Sequence, residues 1–223
     1  MTTRVLRRLL PDRSTIMTVW RGPFRGARIV ANPRASLRKL FGIYEHELNG
    51  WLSAALPRVG RLIDVGANDG YFSFGGAAAM RRAGRSVEII CFEPQAQHLA
   101  ELRRAMDAQP EPIGDLWLID AMVGEHEDAN TTTLDALPVA DRDNTLIKID
   151  VEGGELAVIA GARSWLRPSN LFLIEVHHAS YLDPLKKTFA SHGLTLTQID
   201  QRPLPILGRE QRDVDNRWLV SQL

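Results

Sequence analysis

Five apolar runs, each handing over to a helical pattern, limit what this chain can fold into. Arg61–Val65, Val87–Phe92, Leu116–Val123, Leu146–Val151 and Leu171–Val176 read as strands. They are mostly continuous apolar runs, the pattern of strands covered on both faces. Helical spacing follows at Tyr71–Ala83, after Glu93-Pro94, after Gly153-Gly154 and up to His192-Gly193. In the second of these helices Leu99, Leu102, Arg103 and Met106 share a face. Leu194–Ile199 and Trp218–Leu223 read as a terminal strand pair. Repeated strand–helix units predict an α/β fold with a doubly wound sheet. Ligands in such sheets sit at the carboxyl ends of the strands, so the polar residues there carry the functional reading.

The length of 223 residues fits one domain with a short extension. With 44% hydrophobic and 24% charged residues, bulk disorder and a disulfide-stapled mini-domain are excluded. The single cysteine, Cys91, excludes an intrachain disulfide and a Cys-rich zinc site. It reads as a buried core thiol. The formal net charge is zero, yet residues 1–40 hold ten basic residues and one acid, Asp12. Such an arm suits an anionic partner or a solvated leader. Within it, Ile16–Val19 and Ala27–Val30 could form a hairpin, and a helix is expected over Tyr44–Leu56, stopped by Pro57. The expected division is a basic N-terminal extension, 1–40, and a catalytic domain, 41–223. No apolar run reaches transmembrane length and no secretion signal is legible, so the reading is cytoplasmic.

Four clusters fall at strand ends. Asp64-Val65-Gly66-Ala67-Asn68-Asp69-Gly70 closes the first strand and opens a helix, the context in which a glycine turn lets a ligand approach the backbone. Its G-x-N-x-G spacing differs from the G-x-G-x-x-G that cradles a pyrophosphate. Glu93 ends the second strand, where an acid can accept both hydrogen bonds of a ribose diol. Asp150 and Glu152 end the fourth strand. They could act as a base, hold a hydroxyl or bind a cation, while Glu155 reads as a helix-capping acid. Glu175 and His177 share one face at the end of the fifth strand, where His177 could take a proton near neutral pH. His46, His98, His126 and His192 lack metal-ligand spacing and read as surface or packing residues. The tryptophans do not interleave with the basic arm, which argues against a nucleic-acid platform.

Together, Asp64–Gly70 with Tyr71-Phe72, Phe92-Glu93-Pro94, Thr132-Thr133-Leu134-Asp135, Ile147–Glu155 and Glu175-Val176-His177 resemble the FkbM family of S-adenosylmethionine-dependent methyltransferases over about residues 42–199. The resemblance implies a class I methyltransferase (Rossmann-like) sheet of seven strands with the last antiparallel. It implies that Asp64, Gly66, Asn68 and Gly70 surround the amino-acid part of the cofactor S-adenosylmethionine, that Glu93 holds the ribose, and that Asp120 and Ala121 lie near the adenine. It also implies methyl transfer to the hydroxyl of a small-molecule acceptor such as a sugar or polyketide. The stretch Glu125–Asn130 is shorter than is usual in the family, which removes a candidate substrate-contacting element.

On this reading Asp150 and His177 are the candidate bases, oriented by Glu152 or Glu175. No residue is assigned to a metal. In a cation-assisted variant, Asp150, Glu152, Glu175 and His177 would hold a hard ion. The alternatives are a non-catalytic S-adenosylmethionine-binding module acting in a complex and, from the acid at Glu93, a nicotinamide-dependent dehydrogenase, which the glycine spacing disfavours.

Overall fold

The computed structural model describes residues 11–85, 88–204, 208 and 217–223. Residues 15–31 make an antiparallel pair, β1 (Thr15–Thr18) and β2 (Arg28–Ala31), with Ile16 opposite Val30. Two helices follow, α1 (Leu37–Leu40) and α2 (Asn49–Ala55), the latter flanked by 3₁₀ turns at His46–Leu48 and Leu56–Arg58. The helix expected from Tyr44 is therefore shorter. Pro57 continues the chain as a 3₁₀ turn, since it sits among the first residues of that turn, where no backbone N–H is required.

The body alternates as the apolar runs dictate. It contains β3 (Arg61–Val65), α3 (Tyr71–Arg82), β4 (Glu88–Phe92), α4 (Ala96–Asp107) and β5 (Asp115–Ile119). A short parallel pair follows, β6 (Met122–Val123) with β7 (Thr131–Thr132). Then come β8 (Thr145–Ile149), α5 (Glu155–Ala160), β9 (Leu171–Val176), α6 (Leu182–Ser191), β10 (Leu196–Ile199) and β11 (Arg217–Ser221). Seven strands form one sheet in the order β10-β11-β9-β8-β3-β4-β5. The inner pairs are parallel, and β11 runs antiparallel to both neighbours. This is the class I methyltransferase arrangement.

Alternation along each strand divides the core. Leu62, Ile89 and Leu146 face a layer holding α3, α4 and the β1–β2 pair. Ile63, Ile90 and Ile147 face the layer of α5 and α6. The N-terminal pair is packed into the first layer through Val19, Phe24, Ile29 and Val30. Phe24 crosses α3 at Gly75, where an added Cβ would lie 2.2 Å from the ring. The Arg28 guanidinium donates to the Ala108 carbonyl (2.7 Å) beyond α4.

Two expectations are corrected, and a third falls outside the described residues. The run Leu116–Val123 is two strands, because the chain leaves the sheet at Asp120 and Met122–Val123 pairs with Thr131–Thr132 instead. The start of the second run at Val87 lies outside the described residues, and the described strand begins at Glu88. On α4 it is Ala105 that joins Leu99 and Leu102 in the core, while Arg103 is exposed. The short Glu125–Asn130 stretch is a tight connection. Asp128 Oδ1 accepts from the backbone N–H groups of Asn130 and Thr131 (both 2.8 Å). Among the described residues no helix is long and apolar enough to cross a membrane.

Candidate active site

The loops after β3, β4, β8 and β9 meet above the sheet. The backbone N–H groups of Gly66 and Ala67 both donate to the Phe92 carbonyl at 3.0 Å, tying the first turn to the end of β4. Gly66 has φ +81°, and a Cβ there would sit 2.0 Å from the Asp150 carbonyl oxygen. Only a glycine lets the β3 and β8 loops approach this closely. Asn68 takes φ 49° and donates its backbone N–H to Glu93 Oε2 (2.8 Å). The Gln95 N–H donates to Oε1 (2.9 Å), so the nearly buried Glu93 carboxylate is oriented by two backbone donors. Each oxygen keeps a further lone pair.

These residues line a recess of about 290 Å³ that includes Gly66, Asn68, Glu93, Ala121, Asp150 and Glu152. A second recess of about 70 Å³ adjoins it and shares Gly66, Asn68 and Asp150. Tyr44, Tyr71, Phe72, Lys39 and Trp218 complete the second recess. Of the other expected cofactor residues, Asp120 is exposed and lines neither recess. Gly70, with φ 76°, turns the chain into α3 against Phe74 and Leu102. Asp64 is wholly buried beneath the turn, bonded to the Ser73 hydroxyl. Burial raises its carboxyl above the ordinary value against the opposing charge of Lys148. Cys91 is buried beside it, its thiol 3.2 Å from Ser73 Oγ and pushed up by burial.

Lys148 is the hub of the charged groups, although nothing in its motif had given it a role. Its Nζ donates to the Gly66 carbonyl (2.7 Å) and lies 3.1 Å from Asp64 Oδ1 and 3.3 Å from Asp150 Oδ2. Burial alone would lower its pKa, but the carboxylates of Asp64 and Asp150 outweigh burial and hold the ammonium above its ordinary value. The legible signal was a lysine inside an apolar strand, because a buried cation requires an anionic partner.

On the far side of Asp150 the expected pair of Glu175 and His177 is present. Ligating atoms of Asp150, Glu175 and His177 all lie within 4.8 Å of one another, and Glu152 is outside that group. His177 Nε2 is 3.8 Å from Asp150 Oδ1. Its Nδ1 meets Glu155 Oε1 at 2.5 Å. The hydrogen bond to Glu155 raises the His177 pKa above 6.5, with burial opposing. Burial would raise Asp150, but Lys148, Glu175 and His177 together hold it below the ordinary aspartate range. Glu155 does more than the capping role expected of it. It accepts from the Gly153 N–H (3.1 Å) and buttresses the histidine. His98 is also corrected: it lines the larger recess, with Nδ1 buried 3.5 Å from Glu93 Oε1.

Residues 118–194, which span Asp150, Glu155 and His177, match the Methyltransferase FkbM domain. The chain resembles the FkbM methyltransferases. In structure, this FkbM-like chain is similar to methyltransferase FkbM from Methylobacillus flagellatus KT, with a TM-score of 0.60 and 18% identity over 73% of this chain and 44% of that one. It therefore spans less than half the length of that protein. It is also similar to HI0767, a candidate methylase from Haemophilus influenzae, at a TM-score of 0.57 and 13% identity over 94% and 99% of the two chains. A candidate rRNA-methylase from Clostridium thermocellum gives 0.52 and 9% over 79% and 94%. At these identities the structural likeness is one of fold. No curated protein matches the chain.

Proposed function

We propose that this FkbM-like methyltransferase binds S-adenosylmethionine across the two recesses and methylates a hydroxyl of a small-molecule acceptor. The observation that carries this reading is the meeting of the recesses at Gly66, Asn68 and Asp150, with Glu93 on the wall of the larger one. Glu93, already oriented by Asn68 and Gln95, accepts from the ribose hydroxyls. Met122, Val123 and Ala121 supply an apolar wall for the base. Gly66 gives the backbone access that a side chain would block.

When bound, the cofactor supplies an electrophilic methyl carbon, so the protein's work is alignment and proton removal. Asp150 is ionised and lines both recesses, and it takes the acceptor's hydroxyl proton. His177 stands behind it, held by Glu155, and Glu175 helps keep Asp150 ionised. Glu152 lines the larger recess and orients the acceptor.

The test is calorimetric binding of S-adenosylhomocysteine, with NADH in parallel and Glu93→Ala as the variant. Loss of hydrogen bonds to a charged acceptor is expected to weaken binding by about 10–100-fold. Binding without turnover on any hydroxyl acceptor would favour a non-catalytic binding module instead. NADH binding would move the chain to the dehydrogenases.

The convergence of Asp150, Glu175 and His177 favours one second reading, in which a hard cation lowers the acceptor's pKa. Activity lost in excess chelator and restored by a divalent ion would establish it. Full activity in chelator leaves Asp150 as the base.

A further inference from the structure

The N-terminal pair β1–β2 carries a surface that the methyl-transfer reading leaves unused. Exposed residues alternate along β1 and its continuation, so Ile16, Thr18 and Trp20 face solvent on one side. Trp20 is 53% exposed and meets Phe41, itself 43% exposed, edge-on with ring centroids 5.0 Å apart. Ile16 is exposed to the same degree as Phe41. The loops that present these side chains are fixed. The Trp20 N–H donates to the Leu40 carbonyl (2.7 Å), and the Gly26 N–H closes the loop onto the Val19 carbonyl (2.8 Å). Phe24, in the same loop, is buried and seated on Gly75 of α3. Aromatic side chains held out in water by so ordered a loop point to an apolar partner.

The charge around these side chains narrows the partner. Arg21 and Arg25 lie in the Trp20 loop, both exposed, and have no ion-pair partner among the described residues. Arg82 of α3 reaches the same loop and donates to the Pro23 and Arg25 carbonyls. Burial, and then the neighbouring Arg25 charge, lower the Arg82 guanidinium from its ordinary value, a like-charge contact that an anion would relieve. Asp12 is the sole acid in residues 11–42 and already pairs with Arg34 (3.0 Å). Cations around aliphatic and aromatic side chains complement a lipid surface with anionic head groups. Tryptophan seats at the membrane interface, and each nearby arginine adds attraction. A nucleic acid is the poorer fit. Ile16 offers no ring, and the 88° angle between Trp20 and Phe41 turns the edge of one ring onto the other, so the pair presents no parallel faces to successive bases.

We propose that the exposed face of the β1–β2 unit is a docking surface for an anionic phospholipid membrane, with Ile16, Trp20 and Phe41 inserting and Arg21 and Arg25 meeting the head groups. This gives the basic segment a task independent of the cofactor and of the acceptor.

The experiment is co-sedimentation of the full chain with phosphatidylcholine vesicles, with and without phosphatidylserine. Wild type is expected to pellet with the anionic vesicles and to be released from them by high salt. Trp20→Ser and Phe41→Ser should each weaken partitioning by about 10-fold. Arg21→Gln and Arg25→Gln should each weaken it by about 5-fold. Arg163→Gln removes the same charge at an exposed position in the opposite layer and should leave partitioning unchanged. The arginine variants alter exposed side chains alone, so they test the surface even where Trp20→Ser lowers the melting midpoint. Equal partitioning to both kinds of vesicle, no partitioning to either, or partitioning that all four surface variants leave intact would overturn the inference. So would binding of a single-stranded RNA in place of vesicles, weakened by the same arginine variants, because the surface would then serve a nucleic acid.

Discussion

Glu155 and His177, 22 residues apart in the chain, are joined by a 2.5 Å contact between Oε1 and Nδ1. The carboxylate fixes a proton on Nδ1 and leaves Nε2 directed toward Asp150, 3.8 Å away. It also places a pH-sensitive group one residue behind the proposed base.

Replacing Glu155 by Gln removes the charge that raises His177. The histidine should then titrate at lower pH, read from its ring proton shifts by NMR. An unchanged titration would show that Glu155 does not control it. The sign for stability follows from the raised value. The His177 interaction contributes fully below about 6.5 and is lost as pH rises through the higher folded value. The difference in melting temperature between wild type and His177→Gln should therefore shrink on going from pH 6 to alkaline pH.

Lys148→Met should be among the most destabilising single changes. It leaves Asp64, wholly buried, and Asp150 without their shared cation. Breaking a buried pair from one side costs about 3–5 kcal/mol. Urea denaturation measures this, and a loss under about 1 kcal/mol would show that solvent or another cation compensates.

Gly66→Ala tests the close approach of the β3 and β8 loops. The strained φ alone costs about 1–2 kcal/mol, and the Cβ would also press on the Asp150 carbonyl. Gly26→Ala has a similar φ of +90° but open space around the new methyl, so it isolates the backbone cost. We expect the Gly66 variant to lose more stability than the Gly26 variant and to lose S-adenosylhomocysteine binding as well. Equal losses would remove the steric argument.

Phe24→Ala asks whether the basic segment belongs to the folding unit. The ring is buried, edge-on to Tyr71 and Phe72 with centroids 5.0 and 5.5 Å apart, and seated on Gly75. Deleting such a ring costs about 3–5 kcal/mol. A single cooperative transition at lower denaturant is the expected result. An unchanged midpoint would make residues 11–36 a dispensable appendage.

The sequence by itself determined the alternation of buried strands and helices, because continuous apolar runs admit few other solutions, and it determined which polar residues end the strands. That was enough to place Glu93, Asp150, Glu175 and His177 over one end of the sheet. Only the tertiary structure decided which atoms meet. Lys148 is an apolar-strand residue by position and an ion-pair hub by packing. Glu155 is an ordinary first-turn acid until α5 brings it against β9. Lys39, Tyr44 and Trp218 come from opposite ends of the chain to wall one small recess. Local pattern records burial and backbone geometry over a few residues. Contacts between segments 22 to 170 residues apart depend on how whole layers dock, as when the Trp51 indole N–H donates to the Ser221 carbonyl at the end of β11.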